Sequence, residues 1–354
     1  MNRRRYLALL GTSALAGCTG SGDEPTPSST GEQSVVAETV VEGLRVPWGA
    51  DFLDGELYLT ERRGRIVRVA DGTVREVADL TDSTAARGEG GLLGLAFAPD
   101  GETAYTYQTY ADGGEQNRIL RHDLADDWTT EVLFDGIPGA FIHDGGRLLV
   151  HDGALYASCG DAAEAESAQE RDALSGKILR LTLDGEPHPE NPFANAVFTW
   201  GHRNPQGFAV RDGEIYVSEH GPDVHDEINL LKKGNNYGWP EARGPSENPA
   251  FTDPLISWSP TIAPGGAAFY PDDGPIADWR GDLFVGTLKG SHLRRITIED
   301  GEATTDQRLY TDRWGRLRTT FVGPDRHLYA VTSNRDGRGR ARDGDDRVLR
   351  FTPG

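Results

Sequence analysis

The chain has 354 residues, of which 56 are acidic and 36 are Lys or Arg, so its formal net charge is −20. This balance argues against a nucleic-acid partner, because phosphate contacts need a basic face. The length fits one large domain or two ordinary ones. The excess of acids predicts adaptation to high salt, since a Debye length of about 3 Å at 1 M screens the repulsion among like charges.

The N-terminus has the features of an export signal. Three arginines at positions 3–5 precede the apolar run YLALLGTSALAG, which is followed by Cys18. RRRYL resembles a twin-arginine signal, and LAGC at 15–18 resembles a lipobox. We predict an export signal at 1–17 and a Ser/Thr/Pro-rich tether at 18–36 that starts with a lipidated Cys18. On this prediction the protein is exported and held at the cell surface, and the lipid on Cys18 is its only contact with the membrane. An ordinary secretory signal with an unrelated cysteine is the alternative.

From residue 37 onward, short apolar strands alternate with Gly, Asp and Asn turns. Six comparable strand cores, spaced by 48, 50, 60, 68 and 45 residues, begin at Leu57, Tyr105, Leu155, Ile215, Leu283 and Leu328. Each is followed by a further strand: RIVRV, RILRHDL, KILRL, EINLL, HLRRI and RVLRF. These spacings are typical of propeller blades with some insertions. We predict an all-β, six-bladed β-propeller over 37–354, with its site in the central channel. A pair of β-sandwiches is the rival, although no linker divides this segment.

The segment from Gly201 to Pro240 combines an Arg-Asn pair, a Gly-Pro turn among acids and a Tyr-Gly-Trp motif. Backbone carbonyls freed by a tight turn, together with carboxylates, are ligands that suit calcium. Arg203 offers a planar fork that matches a carboxylate or phosphate. The segment therefore indicates a site for an anionic ligand and a hard cation. The alternative is that these turns only connect strands.

A second segment, with His143 in IHDGGRLLVHDGALYASCGD, strengthens this interpretation. Together the two segments resemble the soluble aldose sugar dehydrogenases, which use pyrroloquinoline quinone (PQQ). The resemblance extends over most of the chain after the leader, through RGEGGLLGLAFAPD (87–100), SPTIAPGGAAFY (259–270), GDLFVGTLKGSHLRRI (281–296) and WGRLR (314–318). It implies an enzyme that uses PQQ and calcium to oxidise an aldose at its anomeric carbon to the lactone, with electrons passing to an external acceptor.

The resemblance also assigns roles to individual residues. His143 matches the catalytic base, since a neutral imidazole can accept a proton near neutral pH. Asp161 matches an acid that fixes the histidine tautomer. The positions that match cofactor contacts are Arg203, Asn204, Thr261, Lys289, Arg316 and Arg318. The two arginines of WGRLR alternate along an extended segment and should point to one side.

Glu89 occupies a further position that matches a cofactor contact, where the family often has glutamine. An ionised glutamate only accepts hydrogen bonds and is repelled by an anionic cofactor unless it is protonated or paired, and Arg87 is the candidate partner. The resemblance places the carbonyls of Gly221 and Pro222 on one calcium ion. It places Glu227 and Tyr237 on a second. The loops at 246–253 and 335–346 are expected to shape the substrate end.

Two other functions remain open from the sequence. Six-bladed propellers also hold calcium in hydrolases such as lactonases, and a fold does not determine chemistry. Such a hydrolase has no need for an anion clamp made of Lys289, Arg316 and Arg318. A propeller that binds a ligand without turnover is the second alternative, against which the presence of His143 together with the arginines argues.

Overall fold

The computed structural model describes residues 34–354, which form twenty-four β-strands in six four-stranded sheets. The predicted export signal, Cys18 and the tether up to residue 33 lie outside the described residues. The first strand, β1 (Val35–Val41), begins two residues before the expected start of the propeller. Within residues 34–354, no helix has the length and apolar character needed to cross a membrane.

Each sheet is one blade, and the first five blades each consist of four consecutive strands. The first blade contains β2 (Pro47–Leu53), β3 (Glu56–Glu61), β4 (Arg65–Ala70) and β5 (Thr73–Asp79). The second contains β6 (Leu92–Phe97), β7 (Thr103–Ala111), β8 (Glu115–Asp123) and β9 (Thr129–Pro138). The third contains β10 (Gly145–His151), β11 (Ala154–Cys159), β12 (Lys177–Thr182) and β13 (Val197–Trp200).

The remaining blades follow the same order. The fourth contains β14 (Pro205–Arg211), β15 (Glu214–Glu219), β16 (Asp226–Leu230) and β17 (Ile256–Trp258). The fifth contains β18 (Pro264–Phe269), β19 (Leu283–Thr287), β20 (Leu293–Glu299) and β21 (Glu302–Leu309). The sixth contains β22 (Leu317–Val322), β23 (Leu328–Thr332) and β24 (Val348–Pro353), and β1 completes it. Short 3-10 helices lie at Thr81–Ser83, Ala165–Gln169 and Ala277–Trp279.

The ring closes through its last blade. β1 pairs antiparallel with β24, so that Val35 lies opposite Pro353 and Ala37 lies opposite Phe351. The first strand of each blade packs against the first strand of the next, from β2 against β6 round to β22 against β2. The predicted six-bladed propeller is therefore confirmed, and the alternative of two β-sandwiches is wrong.

The sequence repeat corresponds to the second and third strands of each blade, whereas the first strands carry a different pattern. First strands lie next to the channel, where neighbouring backbones approach closely. A Cβ built on Gly49 of β2 would lie 2.6 Å from the Leu93 carbonyl oxygen, and one on Gly94 of β6 would lie 2.4 Å from that of Gly146. These strands therefore contain glycine where an alternating apolar pattern would be expected.

Buried apolar side chains fill the wedges between neighbouring blades. Tyr107 of β7, Leu155 of β11 and Leu179 of β12 belong to one cluster. Tyr216 of β15 and Val285 of β19 belong to another. Because these clusters span neighbouring blades, apolar burial holds the ring together and leaves the connecting loops to carry the site.

Candidate active site

The candidate site residues lie at one end of the propeller. Most of them precede or begin a first strand, follow a second strand, or begin a third strand, and Tyr237 reaches this end through the long loop after β16, where its N–H donates to the Trp200 carbonyl at the end of β13. His143 precedes β10, Asp161 follows β11, and Glu227 lies at the start of β16. Antiparallel pairing within each blade places these points at the same end. Residues from position 89 to 318 are therefore gathered on one face.

His143 and Asp161 form a hydrogen-bonded pair. His143 Nδ1 lies 2.7 Å from Asp161 Oδ1, while Asp161 Oδ2 accepts a hydrogen bond of 2.8 Å from Trp239 Nε1. A carboxylate only accepts, so Nδ1 carries the proton and Nε2 keeps a lone pair. The predicted base and its orienting acid thus have the geometry needed for proton removal.

The loop that carries His143 is fixed by Glu89. His143 has a φ of 65°, a left-handed conformation that is uncommon for a residue with a side chain. Its backbone N–H donates to Glu89 Oε2 over 2.9 Å, and Asn204 Nδ2 donates to the same oxygen over 3.0 Å. Glu89 therefore connects the catalytic loop to the predicted cofactor-binding Asn204.

Glu89 is ion-paired with Arg338, and the expected pairing with Arg87 is wrong. Arg338 Nη1 donates to Glu89 Oε1 over 2.8 Å. Burial acts to raise the pKa of Glu89, but the charge of His220 and hydrogen bonds from Arg338 and the His143 backbone lower it to about 2. The carboxylate is therefore ionised and compensated, without the repulsion that the sequence led us to expect.

Arg316 and Arg318 point to the same side, as predicted. Arg316 donates to Asp336 Oδ2 from Nε over 3.0 Å and from Nη2 over 2.7 Å, and Arg318 Nη2 lies 4.0 Å from the same oxygen. Arg318 also donates to Gln206 Oε1 over 2.7 Å. Burial lowers the pKa of Arg318 to about 9, because a guanidinium charge is costly away from water. The site therefore concentrates positive charge in an otherwise acidic protein.

The donors of this cluster fit an anionic ligand such as PQQ. The Nε atoms of Arg62, Arg203 and Arg318 are buried and have no hydrogen-bond partner among the described residues. A cavity of about 20 Å³ lies beside Arg62, Glu89, Arg318 and Arg338. Because this volume holds little more than a water molecule, a ligand as large as PQQ requires the lining side chains to rearrange.

Arg203 reaches the Gly-Pro turn that was predicted to bind calcium. Its Nη1 donates to the carbonyl oxygens of His220 over 3.1 Å and Gly221 over 2.7 Å. The carbonyls of this turn are hard oxygen donors of the type calcium prefers, but an ion on the Gly221 oxygen would have to displace the guanidinium of Arg203. Gly221 and Pro222 line a small cavity together with Glu219 and Glu227.

The predicted second calcium position combines a suitable and an unsuitable group. Burial and the charge of Glu219 raise the pKa of Glu227 to about 8, so a cation beside these two acids would offset their repulsion. The Tyr237 hydroxyl is already occupied, since it donates to the Leu230 carbonyl over 2.6 Å and accepts from the Lys232 N–H over 2.9 Å. Tyr237 can therefore offer an ion only its backbone carbonyl.

The structure does not bring the side chains of Thr261 and Lys289 into the cationic cluster. The Thr261 hydroxyl donates to both carboxylate oxygens of Asp226, over 2.8 and 3.0 Å. Lys289 has an exposed side chain, and its backbone N–H donates to the Ile262 carbonyl over 3.0 Å. Both residues lie on adjoining loops, but the anion clamp described by the structure consists of arginines.

Sequence reasoning missed several side chains that complete the site. Arg338 and Asp336 belong to the loop at 335–346, whose general position was predicted but whose contacts were not. Gln206 lies two residues after Asn204 and belongs to the same matching segment. Trp239 belongs to the Tyr-Gly-Trp motif, which drew attention to it without indicating that it binds Asp161.

Comparison with known proteins agrees with this geometry. The family model described as Glucose / Sorbosone dehydrogenase matches residues 44–341. Aldose sugar dehydrogenase YliI of Escherichia coli is 32% identical over 343 residues, which cover 86% of this chain and 91% of that protein.

Two solved structures are similar over nearly the whole described propeller. The PQQ-bound aldose sugar dehydrogenase of Streptomyces coelicolor is 38% identical, with a TM-score of 0.82 and coverage of 90% of this chain and 98% of that one. An oxidoreductase (glucose dehydrogenase) of Thermus thermophilus is 42% identical, with a TM-score of 0.83 and coverage of 90% and 100%. The chain therefore belongs to the glucose/sorbosone dehydrogenase family, and its predicted relationship to the soluble PQQ-dependent sugar dehydrogenases is confirmed.

Proposed function

We propose that this oxidoreductase uses PQQ and calcium to oxidise an aldose at its anomeric carbon to the lactone and passes the electrons to an external acceptor. The observation that carries the proposal is the His143–Asp161 pair, which is connected to the arginine cluster through Glu89. A proton acceptor and an anion-binding cluster are the two protein parts that such a reaction needs.

His143 acts as the general base in this proposal. Its Nε2 takes the proton of the anomeric hydroxyl, and Asp161 stabilises the imidazolium that forms. Trp239 holds the second carboxylate oxygen of Asp161, so the acid keeps its orientation while the charge on His143 changes. Glu89 contributes by fixing the backbone of His143 in its left-handed conformation.

The residues proposed to hold the cofactor are Arg203, Asn204, Arg316 and Arg318. Bound PQQ supplies the hydride acceptor, and bound calcium supplies Lewis acidity. Carbonyls of Gly221 and Pro222 are the proposed ligands of one calcium ion. Glu227 and the backbone of Tyr237 are those of the second. The cationic cluster favours this function over a lactone hydrolase, which has no anionic cofactor to hold.

Dye-linked oxidation of a panel of aldoses, with the protein purified in molar salt and supplied with PQQ and calcium, tests the proposal. His143→Ala should reduce kcat at least about 100-fold, the lower range of a general base, while PQQ still binds. His327→Ala is the matched control, because His327 also lies beside an aspartate, at 3.3 Å from Asp325, but at the opposite end of the sixth blade. Undiminished turnover in His143→Ala would remove the proposed base, and lactone hydrolysis without sugar oxidation would favour the hydrolase.

We also propose that the protein is exported and anchored by a lipid on Cys18. The support is the order of arginines, apolar run and LAGC in the sequence. Cys18→Ser should move the protein from the membrane fraction to the soluble fraction of cells. Cys159→Ser is the control, since the Cys159 thiol is buried in the propeller. Equal membrane association of the wild type and Cys18→Ser contradicts the anchor.

A further inference from the structure

A cavity of about 260 Å³ lies on the axis of the propeller, and the proposed reaction does not use it. First strands of all six blades contribute to its wall, for example through Asp51, Phe97, Arg147, Phe208, Ala267 and Thr319. Water occupies about 30 Å³ per molecule in the liquid, so this volume can hold several water molecules or a hydrated ion. Arg318, the second residue of β22, belongs to the arginine cluster, whereas the next three residues, 319–321, line the cavity. The cavity therefore lies deeper in the channel than the arginine cluster.

Arg147 of β10 brings a guanidinium to this cavity. The residue is only 7% exposed. Its Nε donates to the Gln206 carbonyl over 2.9 Å, but its buried Nη2 has no hydrogen-bond partner among residues 34–354. An N–H group that is removed from water without a new partner costs free energy, because the hydrogen bonds that it made to water are lost. The wall of the cavity therefore contains a donor that a ligand could satisfy.

The charge of Arg147 is also uncompensated within the described propeller. Burial and the like charge of Arg318 lower the pKa of Arg147 to about 9, and no nearby acid of residues 34–354 raises it. The guanidinium is still charged at pH 7, because this pKa lies above 7. Asp51 lines the same cavity, but its oxygens accept from the backbone N–H groups of Phe52 over 2.8 Å and Phe97 over 3.2 Å, and it forms no ion pair with Arg147. Because buried charges are normally paired, Arg147 needs a counter-charge from outside the described chain.

A second buried arginine of the propeller shows the usual arrangement. Arg294 is 4% exposed, its guanidinium carbon lies 5.5 Å from the Trp258 ring centroid, and its Nη1 donates to Asp306 over 2.9 Å. Arg147 likewise lies over an indole, with its guanidinium carbon 4.1 Å from the Trp48 ring centroid. The face of an indole attracts a cation but carries no net charge. Arg147 thus has the aromatic contact of Arg294 without the carboxylate.

We propose that the cavity binds a halide ion, which Arg147 holds with the Thr319 hydroxyl as a second donor. Thr319 lines the same cavity, and the one hydrogen bond that its hydroxyl donates within residues 34–354 is a long contact of 3.5 Å with the Thr320 carbonyl. A single negative charge matches the single uncompensated guanidinium. Burial raises the pKa of Asp51 to about 6, so Asp51 is largely ionised at pH 7 and disfavours an anion of higher charge in the same cavity. Halide binding of this kind does not depend on the proposed sugar oxidation.

Thermal unfolding tests the site, with the protein in mixtures of sodium chloride and sodium glutamate at a constant total of about 1 M, so that the screening of surface charges stays constant. Glutamate is the reference anion because it carries one net charge but is much larger than a halide. Replacing glutamate by chloride should raise the melting temperature of the wild type along a saturable curve. At the chloride end the rise should exceed that of Arg147→Met by about 2 °C, the shift for an about tenfold excess of chloride over its Kd.

Arg294→Met is the matched control for Arg147→Met. Both substitutions replace a buried arginine beside an indole with an unbranched apolar side chain, but Arg294 has its own carboxylate partner. Arg294→Met should therefore keep the chloride response of the wild type, whatever it does to stability. An equal chloride response in Arg147→Met and the wild type overturns the site.

A crystal of the wild type grown in sodium bromide locates the ion without any variant, because bromide gives an anomalous signal. A bromide peak at hydrogen-bonding distance from Arg147 Nη2, together with the chloride response of the wild type, supports the site. A peak without that response means binding at crystal concentration only and overturns the proposal. If Arg147→Met does not fold, the crystal decides, and a map with only water beside Arg147 refutes halide binding.

Discussion

Glu89→Gln offers a test of how the cofactor-free site balances its charges. The shift in the pKa of Glu89 from 4.5 to about 2 corresponds to about 3 kcal/mol, at 1.36 kcal/mol per unit. Two effects reduce this figure at pH 7. His220 contributes only when it is charged, and burial lowers its pKa to about 4. Arg338 is 52% exposed, so solvent screens its ion pair with Glu89.

We therefore expect Glu89→Gln to lower the free energy of unfolding at pH 7 by about 1–2 kcal/mol. Because the folded pKa lies below the ordinary value, the stabilisation by Glu89 is present above pH 4.5 and is lost as the pH falls toward 2. The same substitution removes a negative charge from the cavity that Arg318 lines, so the affinity for anionic PQQ should rise about tenfold, or about 1.4 kcal/mol.

Urea unfolding at pH 7 and at about pH 3, inside the window where the stabilisation by Glu89 is lost, and PQQ titration at pH 7 measure the two effects. Glu76→Gln is a matched control, since Glu76 pairs with Arg65 at 3.3 Å from a more exposed position and should change stability by less than about 0.5 kcal/mol. A combined Glu89→Gln, Arg338→Gln variant should lose less stability than the two single losses added together. If Glu89→Gln is as stable as the wild type and binds PQQ no more tightly, the assigned role of Glu89 is wrong.

Further predictions concern the base, the metal, the channel and the salt response. Asp161→Asn should lower kcat at least about 100-fold with little change in PQQ binding, because the amide cannot stabilise imidazolium; unchanged kcat in dye-linked turnover contradicts this. Removal of calcium by a chelator at pH 7 should lower the melting temperature more in the wild type than in Glu227→Gln, because only the wild type has the second ion that offsets the repulsion between Glu219 and Glu227; an equal drop in both would place the second ion elsewhere. Gly94→Ala should destabilise the fold by at least about 2 kcal/mol in urea unfolding, since its Cβ meets the Gly146 carbonyl oxygen at 2.4 Å, whereas Gly113→Ala, with open space around it, should cost less. The melting temperature of the wild type should rise steeply between low and molar salt; a flat response contradicts salt adaptation.

Much of the fold could be predicted because second and third strands repeat an unmistakable apolar pattern. Leu57 and Leu155 mark equivalent second strands in different blades, and both lie in β-strands at those places. The first strands could not be predicted from this repeat, because the close approach of backbones at the channel requires glycine at positions such as Gly94. The pairing of β1 could not be predicted for another reason: its partner β24 lies at the far end of the chain.

The candidate site also contains residues that could be predicted from the sequence and contacts that could not. His143, Asp161, Arg316 and Arg318 could be predicted because they stand in motifs of recognisable order, and the structure brings both pairs together. The partner of Glu89 could not be predicted, because Arg338 lies 249 positions away and reaches it only when the ring closes. Thr261 was expected to contact the cofactor, but its hydroxyl donates to Asp226, which lies next to it only in the folded chain. The exposed side chain of Lys289 lies outside the arginine cluster, and its role stays a prediction.

The amino-acid sequence by itself therefore determined the class of fold and the number of blades, because these follow from local periodicity, and its short motifs singled out His143 as the candidate base. The tertiary structure decided which charges compensate one another and which carbonyls face the Arg203 guanidinium. Those properties depend on distances between loops of different blades, and closure of the ring sets these distances.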